Sequence, residues 1–443
     1  MGFVMVESIK SKVWKFEYNF FICKMSLYEI SDGILETHVT WEDIESDLQQ
    51  KLGTNATFGA NKKATNISDM KGFMSRIALI EPDWQNVEEG KDLPEKFALK
   101  ISSQLALVVV SKIMNFEGGE GFTEEKLKHL SKMTRECHNR EVEVYKLLQK
   151  FNHPDVPYTK VYSLKSFESE NDLKGYMAID FVSNIHSLLM FQPIKADDLF
   201  ALVRGIATFS ALGETLTPEE TSFALGPDYF EMVYEQFMNK TELTKKFEGF
   251  RKKFGGDHPE KVEKLIATFF HYLSLVKKYT KISELLGFKL VLNHGDLWQS
   301  NVIHSLNKDG SLKLEAMIDW QTVSRASPGV DLSRLLLGCL SDRRNRGSDI
   351  LKCYHETFTK VYGKELFSFQ ELQDYYCMYA PMMAILLLPD IDSFIDSAKV
   401  SEEEKEEARE VAYKKVVATM DDILDMHDYN MQRWPEFMKN GPI

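Results

Sequence analysis

The segment His294-Gly-Asp-Leu-Trp-Gln-Ser-Asn301, together with Met317-Ile-Asp-Trp-Gln321 further along the chain, decides the fold. An aspartate and an asparagine in this order suit phosphoryl transfer, because the aspartate can accept the proton of a hydroxyl while the asparagine oxygen holds Mg²⁺. Asp296 is therefore the predicted catalytic base and Asn301 a predicted metal ligand. Asp319 adds a second oxygen ligand, since Mg²⁺ binds few carboxylates and completes its shell with phosphate oxygens.

His294 and Gly295 prepare the loop for this chemistry. His294, which we place with the catalytic residues, can orient the loop by hydrogen bonding to nearby backbone, and Gly295 allows a tight turn. Taken singly, Asp296, Asn301 and Asp319 have ordinary interpretations as a turn cap, a helix cap and a strand end. The two motifs in this order and at this spacing favour the chemical interpretation.

Length and charge restrict the class of protein. The chain has 443 residues and a net charge of −13. A single hydrophobic core stops growing at about 250–300 residues, so two lobes are expected. The acidic balance disfavours a protein that grips nucleic-acid phosphates along its surface, but it does not exclude one local pocket for a small anionic ligand.

The cysteines and apolar segments bear on the compartment. Five cysteines lack the spacing of metal ligands and indicate a reducing environment. The N-terminus does not have the pattern of a signal peptide, and the longest apolar run, near Met382 to Leu388, is too short to span a bilayer. We therefore expect a cytoplasmic protein without a membrane span, and we predict no oligomeric state.

The N-terminal part predicts a small lobe of strands and helices over residues 25–183, after an N-terminal extension of residues 1–24. Thr40 to Leu52 predict an amphipathic helix that Thr40 caps. Runs bounded by turn residues predict strands in FMSRIALIEP, KFALKIS and GYMAIDFV. Between the last two, Thr123 to Gln149 has helical composition.

The C-terminal part, residues 184–443, predicts a larger and mostly helical lobe. Helical composition covers Ala196 to Leu212, Pro227 to Phe254 and Pro259 to Leu286, before short strands and turns carry the two motifs. Helices then return, and Ser401-Glu-Glu-Glu404 is a capping box at the start of one of them. The expected class is α+β, with a ligand site in a cleft.

HGDxWxxN followed by IDWQ resembles the CHK kinase-like, or ecdysteroid kinase-like, family of the choline kinase and aminoglycoside phosphotransferase superfamily. Trp298 and Trp320-Gln321 are similar to its nematode-type branch, and the resemblance spans roughly residues 40–430. The resemblance implies a two-lobed protein-kinase-like fold that uses ATP and Mg²⁺. It also implies that Asp331, in SPGVDL, braces the catalytic loop.

In that fold a strand lysine contacts nucleotide phosphates and is held by a helix glutamate. Lys100 is the expected lysine, because a lysine among apolar residues is costly unless its charge is matched. The alternative is a strand-edge lysine that snorkels to solvent. Glu141 and Glu143 lie about 200° apart around a helix, so both cannot face one cleft. The family register selects Glu141.

The loop that covers the phosphates departs from the glycine-rich pattern, since Ala64–Met74 contains only one glycine. The resemblance implies that serines or backbone amides replace it, and an ordinary hairpin is the alternative. The candidate phosphate contacts are Ser68, Lys71, Gly72 and Ser75. Adenine is expected to hydrogen-bond to backbone where the lobes join, at Asp180, Phe181 and Val182.

Together these residues predict an ATP- and Mg²⁺-dependent kinase that phosphorylates a hydroxyl of a small molecule, either sterol-like or an amino alcohol. The first alternative is a catalytically inactive kinase-like module that binds a metabolite, and the complete set of catalytic residues argues against it. The second alternative is a protein kinase, which is weakened because HGD replaces HRD and the DFG and APE signatures are absent.

Overall fold

The computed structural model describes residues 26–439 except 69–73, 114–120, 189–191, 230, 232–233, 235–239, 342, 397 and 399. The predicted extension 1–24 and the candidate contacts Lys71 and Gly72 lie outside the described residues. The chain divides into two compact units. Unit 1 holds residues up to Asn139 and Val161–Phe181, and unit 2 holds Arg140–Lys160 and the chain from Val182 onward. This division differs from the single boundary predicted after residue 183, because residues 140–160 belong to unit 2.

Unit 1 is built on an antiparallel sheet. The strands of this unit are β1 (Thr57–Phe58), β2 (Lys63–Asn66), β3 (Ser75–Glu81), β4 (Trp84–Gln85), β5 (Phe97–Ser102), β6 (Val161–Lys165) and β7 (Tyr176–Asp180). Five of them form the sheet in the order β2-β3-β5-β7-β6, and β1 pairs with β4. Lys100 lies in the central strand, opposite Ile77 on one side and Met177 on the other. The three predicted strands are β3, β5 and β7.

Helix α1 (Trp41–Leu52) covers one face of this sheet. The Thr40 side chain accepts the N–H of Asp43, and the Asp43 carboxylate accepts the N–H of Thr40, so the predicted cap is present. The helix buries Ile44 and Leu48 in one apolar cluster with the inward side chains of β5. Burial of two such side chains stabilises the unit by about 3–6 kcal/mol.

Two more helices follow β5 in the sequence. They are α2 (Leu105–Ile113) and α3 (Glu124–Phe151), the second of which is the helix predicted from Thr123 to Gln149. Helix α3 continues from unit 1 into unit 2, because the division falls between Asn139 and Arg140.

Unit 2 consists of helices with short strands between them. Its helices are α4 (Ala196–Gly213), α5 (Lys240–Phe254), α6 (Pro259–Ser274), α7 (Val276–Tyr279), α8 (Ile282–Leu286), α9 (Gly329–Gly338), α10 (Arg343–Tyr362), α11 (Phe369–Leu387), α12 (Ile391–Asp396), α13 (Glu402–Arg433) and α14 (Pro435–Met438). Its strands are β8 (Val291–Asn293), β9 (Val302–Leu306), β10 (Leu312–Met317) and β11 (Ser324–Ala326). The antiparallel pairs are β8 with β11 and β9 with β10.

Pro381 lies inside α11. Because proline has no N–H, the carbonyl of Cys377, four positions earlier, has no helical hydrogen-bond partner. The Asn430 side chain of α13 donates to that carbonyl, of Cys377, at 2.8 Å. The Tyr279 hydroxyl donates to the neighbouring carbonyl of Met378 at 2.7 Å. Side chains from other helices therefore complete the backbone hydrogen bonding of α11.

The segment Phe369–Asp396, which contains α11, has the length and apolar composition of a membrane-crossing helix. It is the one such segment among the described residues, and 67% of its most apolar window is buried inside the protein. Core helices of folded proteins have the same composition and burial, so this segment is weak evidence for a membrane span.

The predicted α+β class is confirmed, because an antiparallel sheet dominates unit 1 and helices dominate unit 2. The capping box at Ser401 is also present, at the start of α13. The segment predicted as helical over Pro259–Leu286 is helical, and it consists of three helices, α6, α7 and α8. No glycine or proline marks the breaks within it. Instead, buried Lys278 donates to the carbonyls of Phe437 and Lys439, so tertiary contacts fix the chain here.

Candidate active site

The hairpin of β9 and β10 brings the two predicted motifs together. Val302 pairs with Met317, and the N–H of Ile318 donates to the carbonyl of Asn301 at 3.0 Å. Asp319 follows Ile318 directly, so the hairpin sets it beside Asn301. The two predicted metal ligands are therefore neighbours in unit 2.

Asn301 is tied to the predicted base, Asp296. Its amide nitrogen donates to the Asp296 carbonyl at 2.7 Å and to the carboxylate oxygen Oδ2 at 3.2 Å. These bonds occupy the amide nitrogen, which leaves the amide oxygen as the atom that can ligate a cation. Because Mg²⁺ takes oxygen ligands, the chemistry of this donor set fits Mg²⁺.

Asp319 has an uncommon backbone conformation. It lies in the left-handed region at φ 63° and ψ 53°, immediately before the 3₁₀ turn Trp320–Thr322. Residues other than glycine seldom adopt this conformation, and such strain clusters at functional sites. Arg140 of α3 holds the turn, since its guanidinium donates to the carbonyls of Gln321 at 2.8 Å and Phe223 at 3.1 Å.

Both ring nitrogens of His294 contact backbone. Nδ1 accepts the N–H of Asp296 at 3.3 Å, so Nε2 carries the proton and donates to the Ile318 carbonyl at 2.9 Å. The ring also packs against Trp320, with the two centroids 4.5 Å apart. His294 thus links the loop to the strand before Asp319. These are the backbone contacts that we expected of it, and its place among the catalytic residues stays a prediction.

Helix α9 braces the loop through Asp331. This carboxylate, 2% exposed, accepts the N–H groups of His294 at 2.6 Å and Gly295 at 2.9 Å. It has the bracing contacts that the family resemblance implies. Gly295 has φ 83°, and a Cβ there would lie 2.0 Å from the carbonyl oxygen of Thr322, so the position requires glycine.

The carboxyl group of Asp296 has charged neighbours of both signs. Burial raises its pKa above the ordinary value, the positive charge of Arg334 opposes this rise, and the negative charge of Asp319 adds to it. A carboxylate with a raised pKa is a stronger proton acceptor, which suits a general base.

In unit 1, Lys100 is half-buried, whereas the other residues of β5 are buried. Leu99 and Ile101 belong to the apolar cluster with α1, so strand alternation places Lys100 on the opposite face. Burial, with a further contribution from the positive charge of Lys100, lowers the pKa of His138 in α3 to about 4.

The two candidate partners of Lys100 have different surroundings. Glu141 is 1% exposed, whereas Glu143 is partly exposed and accepts a hydrogen bond from Lys146 at 2.7 Å. Glu141 lies three residues after His138, so the two share a face of α3. Glu141 and Glu143 thus differ in burial, and the predicted pairing of Glu141 with Lys100 stays a prediction.

Of the candidate contacts in the β2–β3 hairpin, the two that lie in the described residues, Ser68 and Ser75, are buried within unit 1. The hydroxyl of Ser68 accepts the N–H of Ile77 at 2.6 Å, and Ser75 is buried at the start of β3. Ser68 thus has the role that an ordinary hairpin gives it. Its contact with phosphate, like that of Ser75, stays a prediction.

The predicted adenine contacts lie where the chain leaves unit 1. The carboxylate of Asp180 accepts the hydroxyl of Tyr162 at 2.8 Å, and the chain passes into unit 2 between Phe181 and Val182. Because the expected contacts use backbone groups, these side-chain bonds do not test them.

Two arginines position the site although the sequence analysis did not find them. Arg140 holds the turn after Asp319, and Arg334 of α9 donates from Nη1 to the carbonyl of Gly295. Arg334 could have been noticed as a lone cation in the apolar run of α9, one turn after Asp331. The sequence around Arg140 has no comparable feature. Its partners in the contacts described above are the backbone carbonyls of Phe223 and Gln321.

A family model described as "DUF1679: Uncharacterized oxidoreductase dhs-27" matches residues 27–431 of the chain. The chain belongs to this family. A Caenorhabditis elegans relative, "Uncharacterized kinase-like protein D1044.1", is 36% identical over 103 residues, which are 23% of this chain and 27% of that protein. The match therefore spans about a quarter of the curated relative's length.

Several solved phosphotransferase structures are similar to this DUF1679 chain. The GDP complex of aminoglycoside 2'-phosphotransferase-IIIa is 12% identical, over 85% of this chain and 99% of that chain, with a TM-score of 0.41. Spectinomycin phosphotransferase with ADP and spectinomycin is 16% identical, over 86% and 99%, with a TM-score of 0.39. Plasmodium vivax ethanolamine kinase is 11% identical, over 81% and 82%, with a TM-score of 0.35. At this level of similarity, an activity does not transfer to the chain.

The description of the DUF1679 model names an oxidoreductase, and the architecture does not favour a dinucleotide-dependent one. Rossmann-type enzymes bind the dinucleotide on parallel strands, at a glycine-rich turn of the form G-x-G-x-x-G. Every pair of strands in the described part of this chain is antiparallel, and parallel pairing is limited to the isolated bridges Ile194–Leu340 and Leu225–Ser324. The sequence also lacks the glycine-rich turn.

Proposed function

We propose that this chain is an ATP- and Mg²⁺-dependent kinase that transfers the γ-phosphoryl group to a hydroxyl of a small molecule. The observation that carries the proposal is the arrangement of Asp296, Asn301 and Asp319, which one hairpin and one bracing helix hold together. A carboxylate that can act as a base, beside an amide oxygen and a second carboxylate that can hold a cation, is the set that phosphoryl transfer needs.

Asp296 accepts the proton of the acceptor hydroxyl as the hydroxyl oxygen forms a bond to the γ-phosphorus. The bond between the γ-phosphorus and the β–γ bridging oxygen breaks, and ADP leaves. The raised pKa of this carboxyl strengthens it as an acceptor, and its hydrogen bond from Asn301 fixes its direction. Asn301 and Asp319 would hold Mg²⁺ through their oxygens, and the ion would supply the positive charge that neutralises the phosphates. His294 and Asp331 keep the loop in this arrangement through its backbone.

In this proposal, Lys100 binds the nucleotide phosphates, and Glu141 orients the lysine. Support comes from the half-buried position of Lys100 in a buried strand and from the burial of Glu141 in α3. Ser68, Ser75 and the undescribed Lys71 and Gly72 are the proposed contacts of the phosphate-covering loop. Backbone groups from Asp180 to Val182 are proposed to bind adenine.

The acceptor is proposed to be a sterol-like molecule or an amino alcohol, in a cytoplasmic setting. A kinase-like module that only binds a metabolite is the competing function. The geometry favours the enzyme, because a binding module does not need a half-buried proton acceptor that is hydrogen-bonded to the amide of a proposed metal ligand.

A metabolite screen tests the proposal. Purified protein, Mg²⁺ and ATP labelled in the γ-phosphoryl group are added to a small-molecule extract, and mass spectrometry finds any metabolite that gains the label. Asp296→Asn is the matched control, because it removes proton acceptance and preserves the size of the side chain. Labelling by the wild type but not by the variant is expected. If the protein binds ATP but no metabolite in the extract gains the label, the result would instead support the binding module.

A further inference from the structure

Helix α9 holds Gly295 at both of its backbone groups. Asp331 accepts the Gly295 N–H, and Arg334, one helical turn later, donates to the Gly295 carbonyl. That carbonyl belongs to the peptide plane that joins Gly295 to Asp296. The N–H at the other end of this plane, from Asp296, donates to His294. The plane immediately before the proposed base is therefore fixed at both ends.

Gly295 needs this support because it is flexible. A glycine at φ 83° has no side chain to limit rotation about its backbone bonds. Any rotation there turns Asp296 away from its direction. The contact from Arg334 restrains the carbonyl, and the neighbouring contact from Asp331 restrains the N–H.

Arg334 is an unusual residue for a purely structural contact. It is 5% exposed, its Nε is buried without a hydrogen-bond partner, and no carboxylate among the described residues lies within ion-pair distance. Burial of an arginine without an ion pair is costly, and a neutral donor could bond a carbonyl at lower cost. The guanidinium lies 5.8 Å from the ring centroid of Trp298, which is itself in the loop. Its positive charge also acts on Asp296.

From these contacts we infer that Arg334 is a positioning residue for the proposed phosphoryl transfer. Arg334 holds the Gly295–Asp296 peptide so that the Asp296 carboxylate faces the acceptor hydroxyl. The inference rests on the proposed function for its catalytic part. Its structural part, that Arg334 immobilises this peptide plane, stands apart from any activity. A guanidinium suits the task because its planar set of donors reaches the carbonyl while its charge lies over the indole ring of Trp298.

The positioning role has a distinct kinetic signature. A misdirected base slows the chemical step but leaves the binding of ATP and of the acceptor unchanged, so kcat falls while KM stays close to the wild-type value. Misplacement of a catalytic group by 1 Å lowers the rate by about 100-fold. A residue that only supports the fold would lower the amount of folded protein and leave kcat per folded molecule unchanged.

The test compares Arg334→Met and Arg334→Lys with Arg343→Met. Arg343 is a matched control, because its side chain, 8% exposed, also lies in unit 2 but forms an ion pair with Asp422 instead of contacting the loop. Hydrogen exchange at the Gly295 and Asp296 amides, thermal unfolding, kcat and KM are measured for each protein.

Arg334→Met is expected to exchange faster at these two amides and to lose about 100-fold in kcat at unchanged KM. Arg334→Lys, which keeps a donor and the charge, is expected to recover part of both. Arg343→Met is expected to unfold at a lower temperature with unchanged kcat. If Arg334→Met does not fold, amide exchange and kcat of Arg334→Lys test the inference instead.

Unchanged exchange at the two amides in the folded variant would overturn the inference whatever the activity. Faster exchange with an unchanged kcat would overturn its catalytic part. If the wild type transfers no phosphoryl group, the proposed function fails with the catalytic part of the inference, and the exchange measurement alone decides whether Arg334 holds the loop.

Discussion

The sheet of unit 1 and the loop of unit 2 place their functional side chains by different means. In β5, Lys100 is held by main-chain pairing with β3 and β7, and the strand alternation decides which face it occupies. In the loop from His294 to Asn301, side chains bond to backbone instead, from Asp331, Arg334 and His294 itself. In the sheet, many backbone hydrogen bonds together fix the position of β5. In the loop, each hydrogen bond depends on one particular side chain. Single substitutions should therefore harm the loop more than the sheet.

The largest effect is expected from Asp296→Asn. The variant keeps the size and most hydrogen bonding of the residue but loses the proton acceptor, so turnover should fall by about 10²–10⁴-fold with fold and ATP binding retained. Turnover on the labelled metabolite measures this. A near-normal rate would remove Asp296 from the role of base.

Asp319→Ala should abolish the advantage that Mg²⁺ gives to ATP binding. ATP brings about four negative charges towards two carboxylates, and the cation turns this repulsion into attraction. Calorimetry with Mg²⁺ and with EDTA, on wild type and variant, measures the difference. Metal-free binding should stay or improve in the variant, since one negative charge is removed. An undiminished magnesium effect would mean that the ion is held elsewhere.

Lys100→Met should weaken ATP binding by about 10- to 100-fold, the worth of one hydrogen bond to a charged group. The backbone pairing of β5 does not depend on this side chain, so thermal stability should change little. Glu141→Gln should have a smaller effect of the same kind, because the lysine loses its orientation. Glu143→Gln is the control, and a larger effect there would show that the chosen helix register is wrong.

The smallest expected effects are on stability. Two glycines with positive φ allow the comparison, since Gly295 lies in the loop and Gly310 lies in an open turn. Gly310→Ala, where nothing lies within 4 Å of the added Cβ, should cost about 1–2 kcal/mol from backbone strain alone. Gly295→Ala should cost more, because its Cβ would also meet the Thr322 carbonyl. Chemical denaturation of both variants measures the gap. Equal losses would indicate that the loop yields easily, against the bracing described above.

The sequence predicts regular elements better than it predicts the braces of the loop. A capping residue and an apolar face predict helix α1, and an apolar run between turn residues predicts β5. The proposed base and metal ligands can be selected from the sequence because phosphoryl transfer restricts both their type and their spacing. Arg140 and Arg334 escape prediction because they bond to carbonyls, which every residue has, so no sequence pattern identifies their partners.

Pro381 has a consequence for the order of events during synthesis. The side chain that satisfies the carbonyl left open by this proline, Asn430, comes 53 residues after Cys377 in the chain. At about 5–20 residues per second, the ribosome delivers that partner roughly 3–10 s later. Until then α11 holds an unfilled acceptor in a segment that is destined for the interior. Unit 2 therefore reaches its native packing only after helix α13 has been made, and a nascent chain that stalls before Asn430 presents chaperones and proteases with an unfinished core.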